Sequence, residues 1–228
     1  MEQAIGDLKQ EMQEVLTENI LSYWMRRMID EEYGGFYGRV TGMDELTPEA
    51  VKGAILNARI LWTFSAAYRL LDKEEYLTIA RRAKSVIIDY FYDQEYEGVY
   101  WALDFKNQPL DTKKQIYAIA FAIYGLSEFN RISQCFRISR CTIELAYAIR
   151  LFECIEDHSF DHINNGYWEA FTREWSEIDD MRLSEKDVNE KKTMNTHLHI
   201  LESYTNLYRI WKDDRLRKQL RNLIEVFI

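Results

Sequence analysis

Three short segments share one pattern, in which acidic or amide residues precede a glycine and two or more large side chains follow it. The glycines are Gly35, Gly98 and Gly166, which lie 63 and 68 residues apart, and the sequence of each interval predicts two helices. A helical hairpin has an apolar face that it cannot bury alone, so it must stack on its neighbours. The repeat therefore predicts an all-α solenoid or a closed toroid of α-hairpins that carries short β-hairpin-like inserts.

Apolar residues at three- and four-residue spacing indicate the helices that form this repeat. Thr47 is predicted to be an N-cap with Pro48 in the first helical turn, and the polar segment 173–189 is predicted to be a long loop. No linker, low-complexity segment or break in composition divides the chain, so residues 1–228 are predicted to form a single domain. The predicted helices span about 2–29, 48–71, 73–92, 111–130, 138–156, 190–211 and 213–228.

Charge, apolar runs and cysteine usage exclude several classes of protein. A net charge of −9 disfavours nucleic acid as a partner, because phosphate binding needs a basic surface. No apolar run of about 18 residues is present, and residues 1–7 lack the features of a signal peptide, so we expect no membrane span and a cytoplasmic protein. Cys135, Cys141 and Cys154 are odd in number and lack C-x-x-C spacing, which predicts reduced structural thiols.

The predicted helix 190–211 carries two of the four histidines. Asn195 and His199 lie one turn apart on the same helix face, which borders the apolar stripe, whereas His197 lies about 200° away from His199. A polar pair beside the buried side of a helix needs a partner, which is either a protein group or a ligand. His199 is therefore either a core histidine satisfied by a neighbour or a residue that faces a ligand.

Equivalent helices of a hairpin toroid lie in one layer, and their first turns point to the same end of the barrel. Each helix that follows an extended segment carries candidates near its start, which are Arg59, Tyr117, and the pair Asn195 and His199. We therefore expect these four side chains to converge on one cleft. The alternative for Arg59 is a salt bridge, and the alternative for Tyr117 is core packing.

Aromatic residues make up 14% of the chain and include fifteen tyrosines and six tryptophans. Such rings can line a cleft and stack on sugar rings, or they can fill a large core. Asp187, Glu169 and Glu202 are candidate carboxylates for glycoside hydrolysis, but no two of them form a distinctive pair in the sequence. The sequence has no glycine loop for a nucleotide, no nucleophile elbow and no cluster of metal ligands.

Six segments together resemble the N-terminal part of the cellobiose 2-epimerases, which belong to the N-acylglucosamine 2-epimerase family. The segments occur in the order and at the spacing of that family, and the resemblance extends over essentially all 228 residues. It implies an (α/α)6 barrel, in which six helical hairpins close into a ring. The matching segments are residues 34–38, 56–62, 98–101, 117–127, 183–187 and 193–199.

The resemblance implies an enzyme, a sugar isomerase that inverts C2 of the reducing-end glucose in a β-1,4-disaccharide. Cellobiose becomes glucosyl-mannose, and lactose becomes epilactose. The family opens the sugar ring, removes the C2 proton and returns it to the other face of a cis-enediolate, which needs histidine bases on both sides of C2. No metal or organic cofactor is expected, and family members of full length are expected to be monomers.

The matching segments also assign roles, each of which is implied by the resemblance. Arg59 would bind sugar hydroxyls and help to stabilise the enediolate. His199 would touch the reactive end of the sugar, in ring opening or in oxyanion stabilisation. Tyr117, Asp187 and Asn195 would contact the reducing-end sugar.

The chain departs from the family in its length. Family members are considerably longer, and their acid/base histidine pair lies in the C-terminal half, where one histidine begins a helix with a Gly-His-Asp-Ile-Glu-Ala-like sequence that is absent here. Of the other histidines in this chain, His197 is expected to be structural, and His158 and His162 match no catalytic position. We expect an incomplete barrel of about seven of twelve helices, a fragment or truncated reading frame that leaves apolar faces uncovered and lacks epimerase activity.

Two alternatives to this function stay open. Within the family, the substrate could be N-acylglucosamine or mannose, because residues that grip the second sugar of a disaccharide lie largely beyond residue 228. The segments 183–187 and 193–199 are more similar to those of the disaccharide enzymes. Outside the family's activity, the chain could be a non-catalytic helical-repeat module that binds a disaccharide or assembles with another chain.

Overall fold

The structure is a computed structural model that describes residues 2–135 and 143–228, with their side chains except those of residues 2 and 133–135. The predicted helix start at residue 138 and the thiols of Cys135 and Cys141 lie outside the described atoms. The third thiol, that of Cys154, is free and buried, and burial raises its pKa to about 12. This is the behaviour expected of a reduced structural cysteine.

The described residues form seven helices when the N-terminal helix is counted once, as the sequence predicts. That helix begins as α1 (Glu2–Glu14), passes through a π-helical segment (Val15–Leu21) and ends as α2 (Ser22–Arg27). Helix α4 likewise ends in a π-helical segment (Ile87–Phe91). The other six helices are α3 (Ala54–Leu71), α4 (Glu74–Val86), α5 (Ile116–Cys135), α6 (Ile143–His158), α7 (Met194–Ile210) and α8 (Asp214–Phe227).

Helices α3, α5 and α7 form an inner layer, because α5 packs against both of the others. Each of them also packs against the helix that follows it in the sequence, which is α4, α6 or α8. Every side chain of α5 from Ile116 to Ile123 is buried, as expected of a helix that is apolar on all faces. Equivalent helices of the repeat therefore share one layer, as predicted.

Each inner helix is preceded by a tight hairpin with the same hydrogen bonds in all three repeats. An aspartate starts the turn, and its Oδ1 accepts hydrogen bonds from the amides two and three residues further on. The fifth residue after the aspartate is a glycine in the left-handed conformation, with φ of +73°, +71° and +82°, and a β-bridge closes each hairpin. The aspartates are Asp30, Asp93 and Asp161, and the glycines are Gly35, Gly98 and Gly166.

A lysine two residues before each inner helix forms an ion pair with the aspartate of its own repeat. Lys192 is 26% exposed, whereas both side chains of the first two pairs are fully buried. The pairs tie the start of each inner helix to its hairpin, and they extend the repeat beyond the glycine and aromatic pattern. They are Lys52–Asp30, Lys114–Asp93 and Lys192–Asp161, with Nζ–Oδ2 distances of 2.7, 2.8 and 2.6 Å.

The described residues also contain five short strands, which are the predicted hairpin-like inserts. Strand β1 (Lys52–Gly53) pairs antiparallel with β2 (Ala102–Leu103), and β2 pairs antiparallel with β3 (Pro109–Asp111). Strand β4 (Lys114–Gln115) pairs antiparallel with β5 (Ala170–Phe171). Strands β1 and β4 lead directly into α3 and α5, so the sheets lie at the starts of inner helices.

The predicted helix start at Pro48 is wrong, because α3 begins at Ala54. Thr47 and Pro48 belong to a turn, in which the amide of Ala50 donates to the Thr47 carbonyl at 3.1 Å. The chain then runs extended through β1, which brings Lys52 to its aspartate. The N-cap and proline pattern is a local signal, and the buried ion pair outweighs it.

The N-terminal helix, counted from Glu2 to Arg27, has an exposed apolar stripe in its first half. Ile5, Leu8, Met12 and Val15 are between 47% and 65% exposed. They recur at three- and four-residue spacing, so they lie on one face of the helix. In the same helical stretch, Leu21 is fully buried and belongs to the core of the inner layer.

The long polar loop predicted at 173–189 is present between β5 and α7. It folds back onto the hairpin of the second repeat. Arg173 donates to both carboxylate oxygens of Asp93, at 2.9 and 3.1 Å, and the Trp175 indole donates to the Tyr96 carbonyl at 2.7 Å. The loop therefore has a fixed base, from which it reaches the start of α7.

Candidate functional site

The candidate site residues lie at equal distances along the three inner helices, counted from the lysine that precedes each helix. The third, seventh and tenth residues after each lysine define three rows that run across α3, α5 and α7, and we name them the position-3, position-7 and position-10 rows. In the order α3, α5 and α7, the position-3 row contains Ile55, Tyr117 and Asn195. The position-7 row contains Arg59, Phe121 and His199, and the position-10 row contains Trp62, Tyr124 and Glu202.

The position-7 row forms a continuous contact across the inner layer. The guanidinium carbon of Arg59 lies 4.6 Å from the centroid of the Phe121 ring, a cation–π geometry. The ring centroids of Phe121 and His199 are also 4.6 Å apart. Tyr117 joins from the position-3 row, with its ring edge-on to His199 at 4.8 Å. Three of the four side chains expected to converge, Arg59, Tyr117 and His199, are therefore brought together around Phe121.

Arg59 is an exposed cation that is held against this aromatic ring. Among the described residues it has neither an ion-pair partner nor a hydrogen-bond partner. The salt bridge considered from the sequence is thus not formed within the described part of the chain. A guanidinium in this position keeps all its N–H groups available for hydroxyls or for an oxyanion.

His199 uses one of its two ring nitrogens within the described part of the molecule. Its Nδ1 lies 2.9 Å from Oε2 of Glu202, which is one turn further along α7. Its Nε2 has no hydrogen-bond partner among the described residues, and its side chain is 18% exposed. His199 is therefore not a fully satisfied core histidine, and one nitrogen can reach a ligand.

The position-10 row lies one turn beyond the position-7 row. The rings of Trp62 and Tyr124 are stacked, with centroids 5.1 Å apart and planes 10° from parallel. Burial, the charge of Glu202 and a hydrogen bond to that carboxylate raise the pKa of Tyr124 to about 12. The row is thus an aromatic wall that ends in a carboxylate beside His199.

Asp187 and Asn195 share a different part of the site, a cavity of 240 Å³ at the start of α7. Asp187 is fixed there, because its Oδ2 accepts hydrogen bonds from the amide and the hydroxyl of Ser184, at 2.9 and 2.8 Å. Asn195 is exposed and lies one turn before His199 on the same helix. The predicted sugar ligands therefore fall into two groups that α7 connects, and their roles remain predictions.

Glu169 lines the same cavity, and its role was not foreseen from the sequence. Its carboxylate accepts hydrogen bonds from the amide and hydroxyl of Thr193, at 2.8 and 2.9 Å, and from the hydroxyl of Thr196 at 2.6 Å. Burial raises the pKa of this carboxyl group. Glu169 thus fixes the first turn of α7 rather than serving as a free carboxylate for hydrolysis, and only the packing of the third hairpin on α7 reveals this.

His197 has the structural role that was expected of it. It is buried, its Nε2 accepts a hydrogen bond from the Tyr167 amide at 2.9 Å, and its Nδ1 lies 2.6 Å from the Thr193 carbonyl. His197 therefore joins the third hairpin to α7. His158 stacks on Trp175, with ring centroids 4.2 Å apart, and so supports the long loop.

The chemistry of the site comes from a cation, an imidazole, carboxylates and aromatic faces. Among the described residues, no group of three or more His, Cys, Asp or Glu side chains could hold a metal ion. Across those same ranges, none of the helices has the length and apolar character needed to cross a membrane.

An inner layer of equivalent helices, with one site near their starts, is the arrangement of a helical-hairpin toroid. Residues 34–228 match the sequence model of a family described as N-acylglucosamine 2-epimerase (GlcNAc 2-epimerase). Since the match covers most of the chain, the chain belongs to this family. Among curated proteins, it is similar to a cellobiose 2-epimerase from Bacteroides fragilis, with 67% identity over 220 residues that cover 96% of this chain and 55% of that protein.

Two solved structures have a fold similar to that of this chain. The cellobiose 2-epimerase from Bacillus thermoamylovorans matches with a TM-score of 0.89 and 41% identity, over 97% of this chain and 55% of that one. The cellobiose 2-epimerase from Spirochaeta thermophila matches with a TM-score of 0.89 and 34% identity, over 98% of this chain and 54% of that one. The fold is the N-terminal part of an (α/α)6 barrel, as predicted, and the chain spans about half the length of these relatives.

Proposed function

We propose that this chain is part of a cellobiose 2-epimerase, which inverts C2 of the reducing-end glucose in a β-1,4-disaccharide. Cellobiose would become glucosyl-mannose, and lactose would become epilactose. The observation that carries the proposal is the position-7 row, which places an unpaired guanidinium and an imidazole beside one phenylalanine ring. The relatives named cellobiose 2-epimerase support the same substrate class.

Ring opening needs a group that moves one proton from the anomeric hydroxyl to the ring oxygen. In the proposed step, Nε2 of His199 accepts the proton of the O1 hydroxyl, the C1–O5 bond breaks, and the same proton passes to O5. The sugar is then an open-chain aldehyde, and the histidine is neutral again. An imidazole suits this step because it can accept and donate a proton near neutral pH.

Arg59 acts in the step that follows. Removal of the C2 proton from the aldehyde leaves a cis-enediolate with its negative charge on oxygen, and a free guanidinium can donate two hydrogen bonds to such an oxyanion. Return of a proton to the opposite face of C2 gives the 2-epimer. These two proton transfers belong to the histidine pair that the family resemblance assigns to residues other than these 228.

We further propose that Tyr117, Asn195 and Asp187 hold the reducing-end sugar. The Tyr117 ring lies against His199, and the amide of Asn195 is exposed one turn earlier on α7. The Asp187 carboxylate is fixed by Ser184 in the cavity that it shares with Asn195. On this basis, residues 1–228 alone bind the disaccharide but do not turn it over.

A chimera tests the proposal without requiring residues 1–228 to act alone. These residues replace the matching part of the Bacteroides fragilis relative, which is 67% identical over 220 residues, and NMR follows the conversion of cellobiose to glucosyl-mannose. We expect activity in the chimera and a fall in kcat of about 100-fold or more for His199→Asn, because ring opening then lacks its proton carrier. Arg59→Gln should also lower kcat, since the enediolate loses its cation.

His162→Asn is the matched control, because His162 is an exposed histidine of the third hairpin and belongs to none of the rows. A folded chimera that fails to epimerise cellobiose would contradict the proposal, as would a His199→Asn variant as active as the control. Assays with N-acylglucosamine and mannose decide between the substrates of the family. Turnover of cellobiose by residues 1–228 alone would show that their expected inactivity is wrong.

A further inference from the structure

Glu202 is the exception in the position-10 row. The equivalent residues on α3 and α5 are Trp62 and Tyr124, whose stacked rings pack within the inner layer. A carboxylate contributes nothing to such a stack, and the Glu202 side chain is 43% exposed. Its contacts are instead with His199 on its own helix and with Tyr124 on the neighbouring one.

The contact with His199 determines which ring nitrogen carries a proton. Oε2 of Glu202 lies 2.9 Å from Nδ1, and an ionised carboxylate can only accept a hydrogen bond. Nδ1 must therefore be protonated, which leaves Nε2 of the neutral ring with a free lone pair. A neutral histidine in water favours the opposite tautomer, Nε2–H, so the carboxylate reverses the usual preference.

Tyr124 faces the carboxylate from the neighbouring helix. Burial, the Glu202 charge and hydrogen bonding with that carboxylate raise the pKa of Tyr124 to about 12, so its hydroxyl stays protonated beside the carboxylate. Tyr124 is itself held by its stack on Trp62, and its carbonyl accepts a hydrogen bond from the Asn206 side chain at 3.1 Å. The carboxylate is thus placed between a hydroxyl on α5 and an imidazole on α7.

We propose that Glu202 is a positioning residue, which fixes His199 as the Nδ1–H tautomer and leaves Nε2 free for the sugar. The inference rests on the proposed function, in which Nε2 moves a proton from O1 to O5. In the other tautomer Nε2 already carries a proton, so it cannot accept the one from O1. The carboxylate also stabilises the imidazolium that exists while the proton is in transit.

An ordinary surface pair of histidine and glutamate one turn apart on a helix could have a similar distance between Nδ1 and the carboxylate oxygen, but it would not fix the tautomer of the histidine. Such pairs are screened by solvent and contribute little. Here the imidazole is packed between Tyr117 and Phe121, at 4.8 and 4.6 Å between ring centroids, and the carboxylate has Tyr124 as a second partner. The two interpretations therefore differ in the tautomer that they predict for His199.

Nitrogen NMR of the 228-residue chain, labelled with 15N-histidine, measures that tautomer directly. The His199→Asn variant assigns the signals. We expect Nδ1–H in the wild type and in Glu202→Gln, whose amide oxygen can still accept the hydrogen bond, and mostly Nε2–H in Glu202→Leu. Glu225→Leu is the control, because it removes an exposed carboxylate from α8, and it should leave the tautomer unchanged.

A wild-type chain with His199 mainly as Nε2–H, or a Glu202→Leu variant that keeps Nδ1–H, overturns the inference. This readout needs no turnover, so it is independent of the proposed function. In the chimera, Glu202→Leu should lower kcat about 10-fold or more at nearly unchanged KM, and Glu202→Gln should recover much of that loss.

Failure of the proposed function and failure of the positioning role of Glu202 would give different results. An inactive chimera whose NMR shows the expected tautomers contradicts the proposed function and leaves the positioning of His199 intact. An active chimera in which Glu202→Leu changes neither the tautomer nor kcat contradicts the positioning role and leaves the proposed function intact.

Discussion

The hairpins and the rows are equivalent parts of the same three repeats, but they differ in how far their chemistry is repeated. Every hairpin has an aspartate that accepts two amides, a left-handed glycine and a lysine paired with the aspartate. Seven residues after the lysine, the three repeats carry an arginine, a phenylalanine and a histidine. The hairpins are alike because each forms the same connection to its inner helix. In the proposed function, the position-7 row differs between repeats because each helix contributes a different group to one site.

The charged side chains of the hairpins and of the position-7 row also differ in their environments. In the second hairpin, burial alone would raise the pKa of Asp93, but hydrogen bonds from Arg173 and Lys114 hold it well below its usual range. In the position-7 row, Arg59 is exposed and has no carboxylate partner among the described residues. The charge that supports the second hairpin is thus neutralised inside the fold, whereas the charge that the proposed function assigns to sugar binding has no carboxylate partner among the described residues.

The largest effect on stability is expected from Lys52→Met, which breaks the fully buried pair of the first hairpin. Asp30 is left as a buried charge without its cation, at a cost of about 3–5 kcal/mol in the free energy of unfolding. Urea unfolding of the variant and the wild type measures this cost. Lys192→Met is the comparison, because that lysine is 26% exposed, and it should cost less. Equal losses would show that burial does not distinguish the two pairs.

A smaller effect is expected from Gly166→Ala in the third hairpin. The backbone there has φ of +82°, which costs a residue with a Cβ about 1–2 kcal/mol, and the new Cβ would lie 2.7 Å from Nε2 of His197. Gly53→Ala is the matched control, since its backbone is extended and a Cβ would meet nothing within 4 Å. Thermal unfolding of both variants should show a clearly lower Tm for the first, and similar Tm values would refute this account.

The link that His197 makes between the third hairpin and α7 should weaken in mild acid. Burial lowers its pKa from the ordinary 6.5, so the unfolded chain binds the proton at higher pH than the folded chain does. Stability present above about pH 6.5 is therefore lost as the pH falls towards the folded-state pKa. Raised pKa values of Glu156 and Glu169 act in the opposite direction.

Urea unfolding of the wild type and of His197→Gln, at several pH values between 7 and 5, isolates this contribution. The two glutamates are common to both proteins, so their effect cancels in the comparison. The variant should be less stable at pH 7, and the difference should shrink as the pH falls. A difference that is constant with pH would show that His197 does not titrate as described.

The smallest effect on stability is expected from Arg59→Gln in the position-7 row. The side chain is exposed and has no charged partner among the described residues, so the free energy of unfolding should change by no more than about 0.5 kcal/mol. Binding of cellobiose, followed by tryptophan fluorescence, should nevertheless weaken. A stability loss as large as that of Lys52→Met would place Arg59 with the hairpin residues and not with the site.

Much of the fold could be predicted, because its signals are local. Apolar spacing predicted seven helices, and the glycine and aromatic repeat predicted their layer. The predicted starts of α3, α5 and α7 are too early, at residues 48, 111 and 190 instead of Ala54, Ile116 and Met194. Each of these helices begins two residues after a lysine that pairs with an aspartate 22, 21 or 31 positions earlier. Such a variable distance leaves no spacing pattern that the sequence alone could reveal.

The site was predicted only in part. Arg59, Tyr117 and His199 were predicted to converge from their positions near the starts of equivalent helices, the family resemblance suggested their roles, and the structure brings their side chains together. The sequence did not single out Phe121, which joins them, and it indicated Glu202 only as a candidate carboxylate for hydrolysis. Counting from the repeated lysines would have placed both in their rows, but the importance of those lysines depends on ion pairs that only the folded chain forms.

The repeated lysine has a consequence for how such a chain can change its length. The lysine follows its aspartate by 22, 21 and 31 positions in the three repeats, so a ten-residue extension is absorbed before the helix begins. After the lysine, a single inserted residue would turn every later side chain by about 100° around the helix axis and move its row out of the site. The lysine is thus a fixed reference point in each repeat: the segment before it varies in length, whereas the distance from it to the row residues is set by the pitch of the helix.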